Sequence, residues 1–303
     1  MSRRITNSEI QTFKQCKRSW YLGYFRRLRK RSADGQEQAA HLGTLVHDAL
    51  EAYYTGSTPE HVLFDLSQRR INDPDAEQYA KTYGMAHSMV EGYFQWLEET
   101  GADIGLEIVA VEEHLITPAP EPYADRVTLL GKMDFRARRG DELLLIDHKT
   151  VLSFEQVISE LPMNEQARFY AILQRRNNPD EPLHGAIWNM LRKVARGPRS
   201  KPPYYARYEM NWNDDLLQRF WERIGGEVGD IVRAEDRLAD GESHHVVAYP
   251  SPGKDCSWRC PFVSVCAHMD DPRTDAESLI EQLFVNGDPL ERYHVGAVDD
   301  ASD

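Results

Sequence analysis

The sequence has no run of about 18 apolar residues, so no segment is expected to cross a membrane as a helix. Its first residues, MSRRITNSEI, contain no apolar stretch of the kind a secretory signal needs. The chain is therefore expected in the cytoplasm, that of the host were it phage-encoded, with no membrane partner. No G-x-x-x-x-G-K-[ST] phosphate loop occurs, so any strand-separating motor would be a separate partner. Internal repeats and low-complexity tracts are absent, which excludes repeat arrays and compositionally biased linkers. Cysteine is scarce: Cys16, Cys256, Cys260 and Cys266 are all there are. In a cytoplasmic chain these are not expected to be structural disulfides.

What is present is an ordinary globular composition. The 303 residues are 41% hydrophobic and 28% charged, enough for a sizeable core in one large domain or two modest ones. A net charge of −13 argues against a protein that coats nucleic acid nonspecifically, because phosphate binding needs local positive charge. The distribution is uneven, however. Ile10 to Ala33 has no acidic residue and eight basic ones, Lys14, Lys17, Arg18, Arg26, Arg27, Arg29, Lys30 and Arg31. Phe13, Trp20, Tyr21, Tyr24 and Phe25 are interleaved with them, as in a strand-binding groove or, equally, in a helix with a buried face. A second basic stretch is Arg192 to Lys201, whereas Asp299, Asp300 and Asp303 make the end acidic.

The patterning predicts a helix over about Glu9–Arg27 with Cys16 inside it, a loop over Arg31–Gln38, and a helix over Leu42–Tyr54. Residues 59–100 read as helical scaffold, and Leu106–Ile116 as a strand carrying Glu112 and Glu113. A strand hairpin follows over Val127–Arg138 and Glu142–Lys149, then a helix over Asn164–Arg176 and strands over Gly185–Leu191 and Tyr204–Trp212. A long helix to about Ala239 completes an α/β or α+β order.

The hairpin carries the chemistry. It reads GKMDFRARRGDELLLIDHKT, and each apolar run bears a carboxylate, Asp134 in the first and Asp147 in the second. Strand side chains alternate, so Asp147 and Lys149 share a face and His148 points away. A buried acid and base are costly unless paired or metal-bound, whereas on a surface hairpin they would simply meet water. Divalent metals such as Mg²⁺ take a few carboxylates plus water and phosphate oxygens, which suits phosphodiester hydrolysis. Lys149 beside the two acids could orient or deprotonate a water. Gln166 and Tyr170 are four apart, on one helical face, and read alone they are also ordinary core positions. His47 lies at the edge of an apolar helical stripe, where a satisfied structural histidine is the common case. The cysteines, three of them in CSWRCPFVSVC, suit one four-thiolate site for zinc or an iron–sulfur cluster, or else are unrelated thiols.

Taken together, G-x-x-D (Gly131, Asp134), D-x-K-T (Asp147, Lys149), Q-x-x-x-Y (Gln166, Tyr170) and the upstream GTLVH ending at His47 resemble the PD-(D/E)xK nuclease superfamily. The branch resembled is that of RecB-like nuclease domains and iron–sulfur exonucleases associated with CRISPR adaptation, which also place one cysteine near the start and three near the end. The resemblance runs from about Thr6 to Cys266. It implies a restriction-endonuclease-like α/β core, a mixed central sheet flanked by helices. To this it adds a helical insertion over 55–100, a cluster-binding C-terminal segment and one nuclease domain over 1–270, with 271–303 as a partly flexible tail. It implies Mg²⁺ or Mn²⁺ held by His47, Asp134, Asp147 and the backbone carbonyl of His148, with Lys149 catalytic and Gln166 and Tyr170 supporting the site. It further implies a 4Fe–4S cluster on Cys16, Cys256, Cys260 and Cys266. Two departures stand out. Met133 replaces the name-giving proline before Asp134, and the C-x3-C-x5-C spacing leaves zinc open. Glu113 is a further acid able to approach the metal from its neighbouring strand.

The expected function is metal-dependent DNA exonuclease, acting on single strands or ends in recombination, repair or phage DNA metabolism. Its partners would be DNA and a helicase or recombination protein, with the two basic stretches tracking phosphates. The alternatives are a non-catalytic DNA-binding adaptor on the same fold and a zinc-stabilised interaction module.

Overall fold

The computed structural model describes residues 2–31, 35–73, 76–194 and 200–293. Strand β1 (Arg3–Thr6) leads into helix α1 (Asn7–Gln15), whose start is set by the Thr6 hydroxyl accepting from the Glu9 N–H at 3.2 Å. The helix expected to continue to Arg27 instead breaks at Cys16, which is extended at φ −159° and ψ 111°. A short helix α2 (Lys17–Trp20), a wide turn over Tyr21–Phe25 and strand β2 (Leu28–Lys30) follow. Helix α3 (Gly35–Tyr54) starts well before Leu42, so the expected loop is largely helix; Gln36, Glu37, Gln38 and two alanines are good helix formers.

Helix α4 (Pro59–Asn72) is capped by Thr58 with Pro59 in its first turn, and α5 (Ala80–Thr100) ends on Gly101 in the left-handed conformation at φ 63°. Strand β3 (Glu107–Pro118) precedes the hairpin of β4 (Val127–Arg139) and β5 (Glu142–Val151), whose turn requires Gly140 at φ 59°. Ser153 caps α6 (Phe154–Glu160), and α7 (Gln166–Asn177), β6 (Gly185–Arg192), β7 (Tyr205–Asn211) and α8 (Asp214–Ala239) come next. The last elements are α9 (His244–Val247), α10 (Val263–Cys266), α11 (Ala276–Leu283) and β8 (Phe284–Asn286).

The chain forms two compact units, one of residues 1–33, 116–131 and 218–303, the other of residues 34–115 and 132–217. In the first, β1 runs parallel to the start of β4 (Ile5 opposite Leu129), and β2 runs antiparallel to β8 (Arg29 opposite Val285). Its small core gathers Leu22, Leu28, Phe262, Val265, Met269, Ile280 and Phe284. Glu9 is fully buried there, paired with Arg3 and accepting the Trp20 indole N–H at 2.9 Å.

The second unit holds a mixed sheet. The rest of β4 pairs antiparallel with β5, β5 parallel with β6 and β6 antiparallel with β7, while β3 lies beside β4. Strand β7 is an edge, as Pro202 and Pro203 before it suggest. Leu144 and Ile146 turn to one face and join Phe135 in a core with Val46, Leu50, Met89, Val90 and Tyr93 of α3 and α5. Because side chains alternate, the neighbouring Leu145 and Asp147 turn to the other face, where α7 begins. This mixed sheet with helices on it is the expected α/β core.

Candidate active site

Asp134 leaves β4 where the hairpin ladder ends, and Asp147 and Lys149 lie near the end of β5, opposite Trp188 and Met190 of β6. The predicted alternation holds. Lys149 Nζ stands 2.6 Å from Asp147 Oδ2, while the His148 ring goes the other way into the core. Asp147 is only 1% exposed, so the bland reading of a solvated surface hairpin does not apply.

The side chains of the site are interlocked. Asp134 Oδ2 accepts the backbone N–H of His148 at 2.7 Å, which ties the first carboxylate to the second strand. Asp147 Oδ1 accepts from Gln166 Nε2 at 3.0 Å, and the same amide reaches Tyr170 Oη at 3.2 Å. The one-face prediction for Gln166 and Tyr170 is thus met, with Gln166 in direct contact with the acid. His47 on α3 lies 3.4 Å, through Nδ1, from Asp134 Oδ2, and it also bonds the backbone of His148. All seven site residues that resemblance singled out around the hairpin therefore meet in one place: His47, Asp134, Asp147, His148, Lys149, Gln166 and Tyr170.

Burial and like charge dominate the electrostatics of the site. Burial, then the charge of Asp147, pushes the Asp134 carboxyl up to about 7. Burial, then the Lys149 cation, lowers the His47 imidazole, and burial lowers His148 further, so both rings are neutral. Asp147 Oδ2 is buried and, despite Lys149, has no hydrogen-bond donor in acceptable geometry. Two close carboxylates, an undonated carboxylate oxygen and a neutral imidazole are the donor chemistry of a hard divalent cation. The residues present fit such an ion, although among the described residues no three His, Cys, Asp or Glu side chains are gathered closely enough to hold one as they stand.

The neighbouring acid is Glu112, not Glu113. Glu113 is paired with Arg136, Nε to Oε2 at 2.6 Å, whereas Glu112 pairs with Lys132 and its charge is felt by His47. Burial, with Asp134 adding, raises the Glu112 carboxyl. The exchange follows from Glu112 at φ 52°, a left-handed conformation that costs a non-glycine residue roughly 1–3 kcal/mol. No periodicity announces it; two adjacent acids in one strand were the only available signal.

The cysteines lie in the first unit, unlinked and half-buried. The thiol of Cys260 is pushed up by burial, with Cys16 and Cys256 adding; that of Cys266 is pushed up by burial, with Arg18 opposing and Cys16 and Cys260 adding. Cys260 is therefore in electrostatic reach of Cys16 and Cys256, and Cys266 of Cys16 and Cys260. Backbone N–H groups of Ser251 and Gly253 point at Cys16 Sγ (3.4 Å) and Cys256 Sγ (3.3 Å).

Much of the N-terminal basic run, expected to track phosphates, is engaged within the protein. Arg18 is 1% exposed and forms a two-pronged pair with Asp270, at 2.8 Å each. Arg26 grips Glu277 in the same way, Lys14 meets Glu227, and Arg29 and Arg31 donate to backbone carbonyls. Phe13 and Trp20 pack edge to face in the core. In the second basic stretch, Arg192 lies over the Tyr204 ring, and residues 195–199 fall outside the described residues, as do Asp299, Asp300 and Asp303.

The chain is similar to known proteins to different degrees. A candidate exonuclease from Eubacterium rectale has a similar solved structure, at 12% identity and a TM-score of 0.50, covering 89% of this chain and 90% of that one. An alkaline exonuclease from Laribacter hongkongensis aligns at 11% identity and a TM-score of 0.30, over 56% of this chain and 86% of its own. A search of curated proteins returns no match. The model of one family matches residues 4–267, a span that covers nearly the whole chain and contains every motif above, and the chain belongs to the PD-(D/E)XK nuclease superfamily.

Proposed function

We propose that the protein is a metal-dependent DNA exonuclease acting on single strands or DNA ends. The observation that carries this reading is the single constellation of Asp134, Asp147, Lys149, His47 and Gln166 around an undonated carboxylate oxygen. His47, Asp134, Asp147 and the His148 carbonyl would hold Mg²⁺ or Mn²⁺. When bound, the ion would lower the pKa of a water and neutralise charge on the scissile phosphate. Lys149 would orient that water and stabilise negative charge as it develops, and its pairing with Asp147 fixes where its ammonium stands. Gln166 would hold Asp147 in register through Oδ1, and Tyr170 would brace Gln166. Glu112 would add charge at the rim.

The four cysteines would carry a 4Fe–4S cluster as a structural staple. Support comes from the reach of Cys16 and Cys256 to Cys260 and of Cys16 and Cys260 to Cys266, and from the two N–H groups aimed at sulfur. Zinc is the lesser reading. Anaerobic purification separates the two: brown protein with iron and sulfide supports the cluster, and colourless protein with zinc overturns it.

For activity, single-stranded DNA labelled at either end is incubated with Mn²⁺ or Mg²⁺, and separately with EDTA. Stepwise shortening with metal and none with EDTA supports the reading and reports polarity. Metal-independent cutting, or tight binding without cutting under all conditions, overturns it.

A further inference from the structure

Behind the hairpin, the second unit buries a polar network that the reading above leaves unused. The His148 ring packs against both Tyr54 (centroids 5.6 Å) and Phe135 (5.2 Å), which stack on each other, and its Nδ1 lies 2.8 Å from Asn189 Nδ2. Asn189, opposite His148 in the β5–β6 ladder, is fully buried. Arg207 on β7 supplies the next link, its Nε donating to Asn189 Oδ1 at 3.1 Å.

The direction of every bond follows from one fact: a guanidinium can only donate. Asn189 must therefore turn Oδ1 to Arg207, which leaves its two amide hydrogens for His148 Nδ1 and for Tyr93 Oη at 2.9 Å. Tyr93 also accepts from Arg207 at 3.0 Å, so its own proton goes to Tyr54 Oη at 2.7 Å. Tyr54 in turn donates to Asp103 at 3.0 Å, and Asp103 pairs with Arg207. With Nδ1 accepting, the proton of the neutral imidazole sits on Nε2.

Burying a guanidinium pair seldom adds net stability, and His148 Nε2 at the end of the network meets no hydrogen-bond partner among the described residues, so the network is better explained by what it orients. What it orients is His148, whose main chain lies between the two acids: its N–H is on Asp134, and His47 bonds its backbone. The geometry points to Asn189 and Arg207 as positioning residues that fix the tautomer and seat of His148, and through its main chain the cation site of Asp134 and His47. This rests on the nuclease reading, since it is that reading's metal site that is positioned.

The test measures Mn²⁺ affinity by calorimetry on the full chain, alongside the ¹⁵N shifts of His148 and the thermal midpoint. Asn189→Leu keeps shape and removes all three links, to His148, Arg207 and Tyr93. It is expected to weaken Mn²⁺ binding about 10–100-fold, the usual scale for outer-shell partners, and to release the Nε2–H tautomer. In turnover, kcat should fall with KM for DNA unchanged. Arg207→Lys, which keeps the charge but loses the fork, should show a smaller shift in the same direction, and it carries the test if Asn189→Leu does not fold. Wild-type Mn²⁺ affinity in the folded variants, whatever their thermal midpoint, overturns the positioning role alone. Absence of Mn²⁺ binding in the wild type sinks the nuclease reading as well.

Discussion

In the second unit, Asp134, Asp147 and Lys149 project from paired strands, and each acid is gripped by a partner from another part of the chain. In the first unit, the cysteines come from a helix break, a loop and a short helix, and two of the sulfurs meet only single backbone N–H groups at 3.3–3.4 Å. The hairpin acids are held from regular strand and helix, whereas the cysteines sit on irregular or short segments and are met by single backbone N–H groups or one neighbouring side chain, Ser19 at Cys260 and Arg18 at Cys266. This difference predicts that filling the cysteine site does more for folding, whereas filling the hairpin site does more for chemistry.

The sharpest way to break that contrast is Cys16→Ala. Removing one thiolate from a closure of about 240 residues should cost roughly 3 kcal/mol or more of stability in the metal-loaded protein. Chemical denaturation followed by the visible band of the cluster reads it directly. A variant that keeps its metal and its midpoint would show the first unit to be self-sufficient.

Asp134→Asn should move stability the other way. The folded carboxyl sits at about 7 against an ordinary value of 3.8, so the native state binds more protons than the unfolded one between those values. Its contribution to stability falls as pH rises from 4 to 7 and stays low above that. The metal-free Asn variant should therefore be more stable than wild type at pH 8 by roughly 1–3 kcal/mol, with the gap closing towards pH 4. The same titration means that the Mn²⁺ concentration needed for half-maximal cutting rises as pH drops below 7. No difference in thermal midpoint at pH 8 would show that neither burial nor the charge of Asp147 disfavours the Asp134 carboxylate in the folded protein.

The smallest effect is expected from Gln166→Ala, about tenfold in kcat, because it frees Asp147 Oδ1 without removing a charge. Gln166→Glu, which sets a third carboxylate beside Asp147, should be worse than Ala. Equal activity of the two would mean that Gln166 only fills space.

Much of the second unit could be read from the chain because its signals are local. Two apolar runs around an Arg-Gly-Asp-Glu turn marked β4 and β5, and the carboxylate inside each run marked the site. The spacing of Gln166 and Tyr170 put them on one face of α7, as found. The first unit was less legible. Helical periodicity continues on both sides of Cys16 and hides the break. The basic run finds its acids, Glu227, Asp270 and Glu277, more than 200 residues downstream, where no local pattern can point. Glu112 escaped for a different reason: a single residue at φ 52° exchanges which of two adjacent acids faces the site, and side-chain alternation assumes regular backbone. Asn189 and Arg207 are ordinary strand residues until the ladder sets one beside His148 and the other across from it.

The central claim is that the hairpin cuts DNA through Lys149 beside two acids. It is tested most directly by Lys149→Ala, with end-labelled single-stranded DNA and saturating Mn²⁺. Retained folding and retained DNA binding, with cutting reduced by at least about 10²-fold, are what the account predicts. Degradation at the wild-type rate would contradict it.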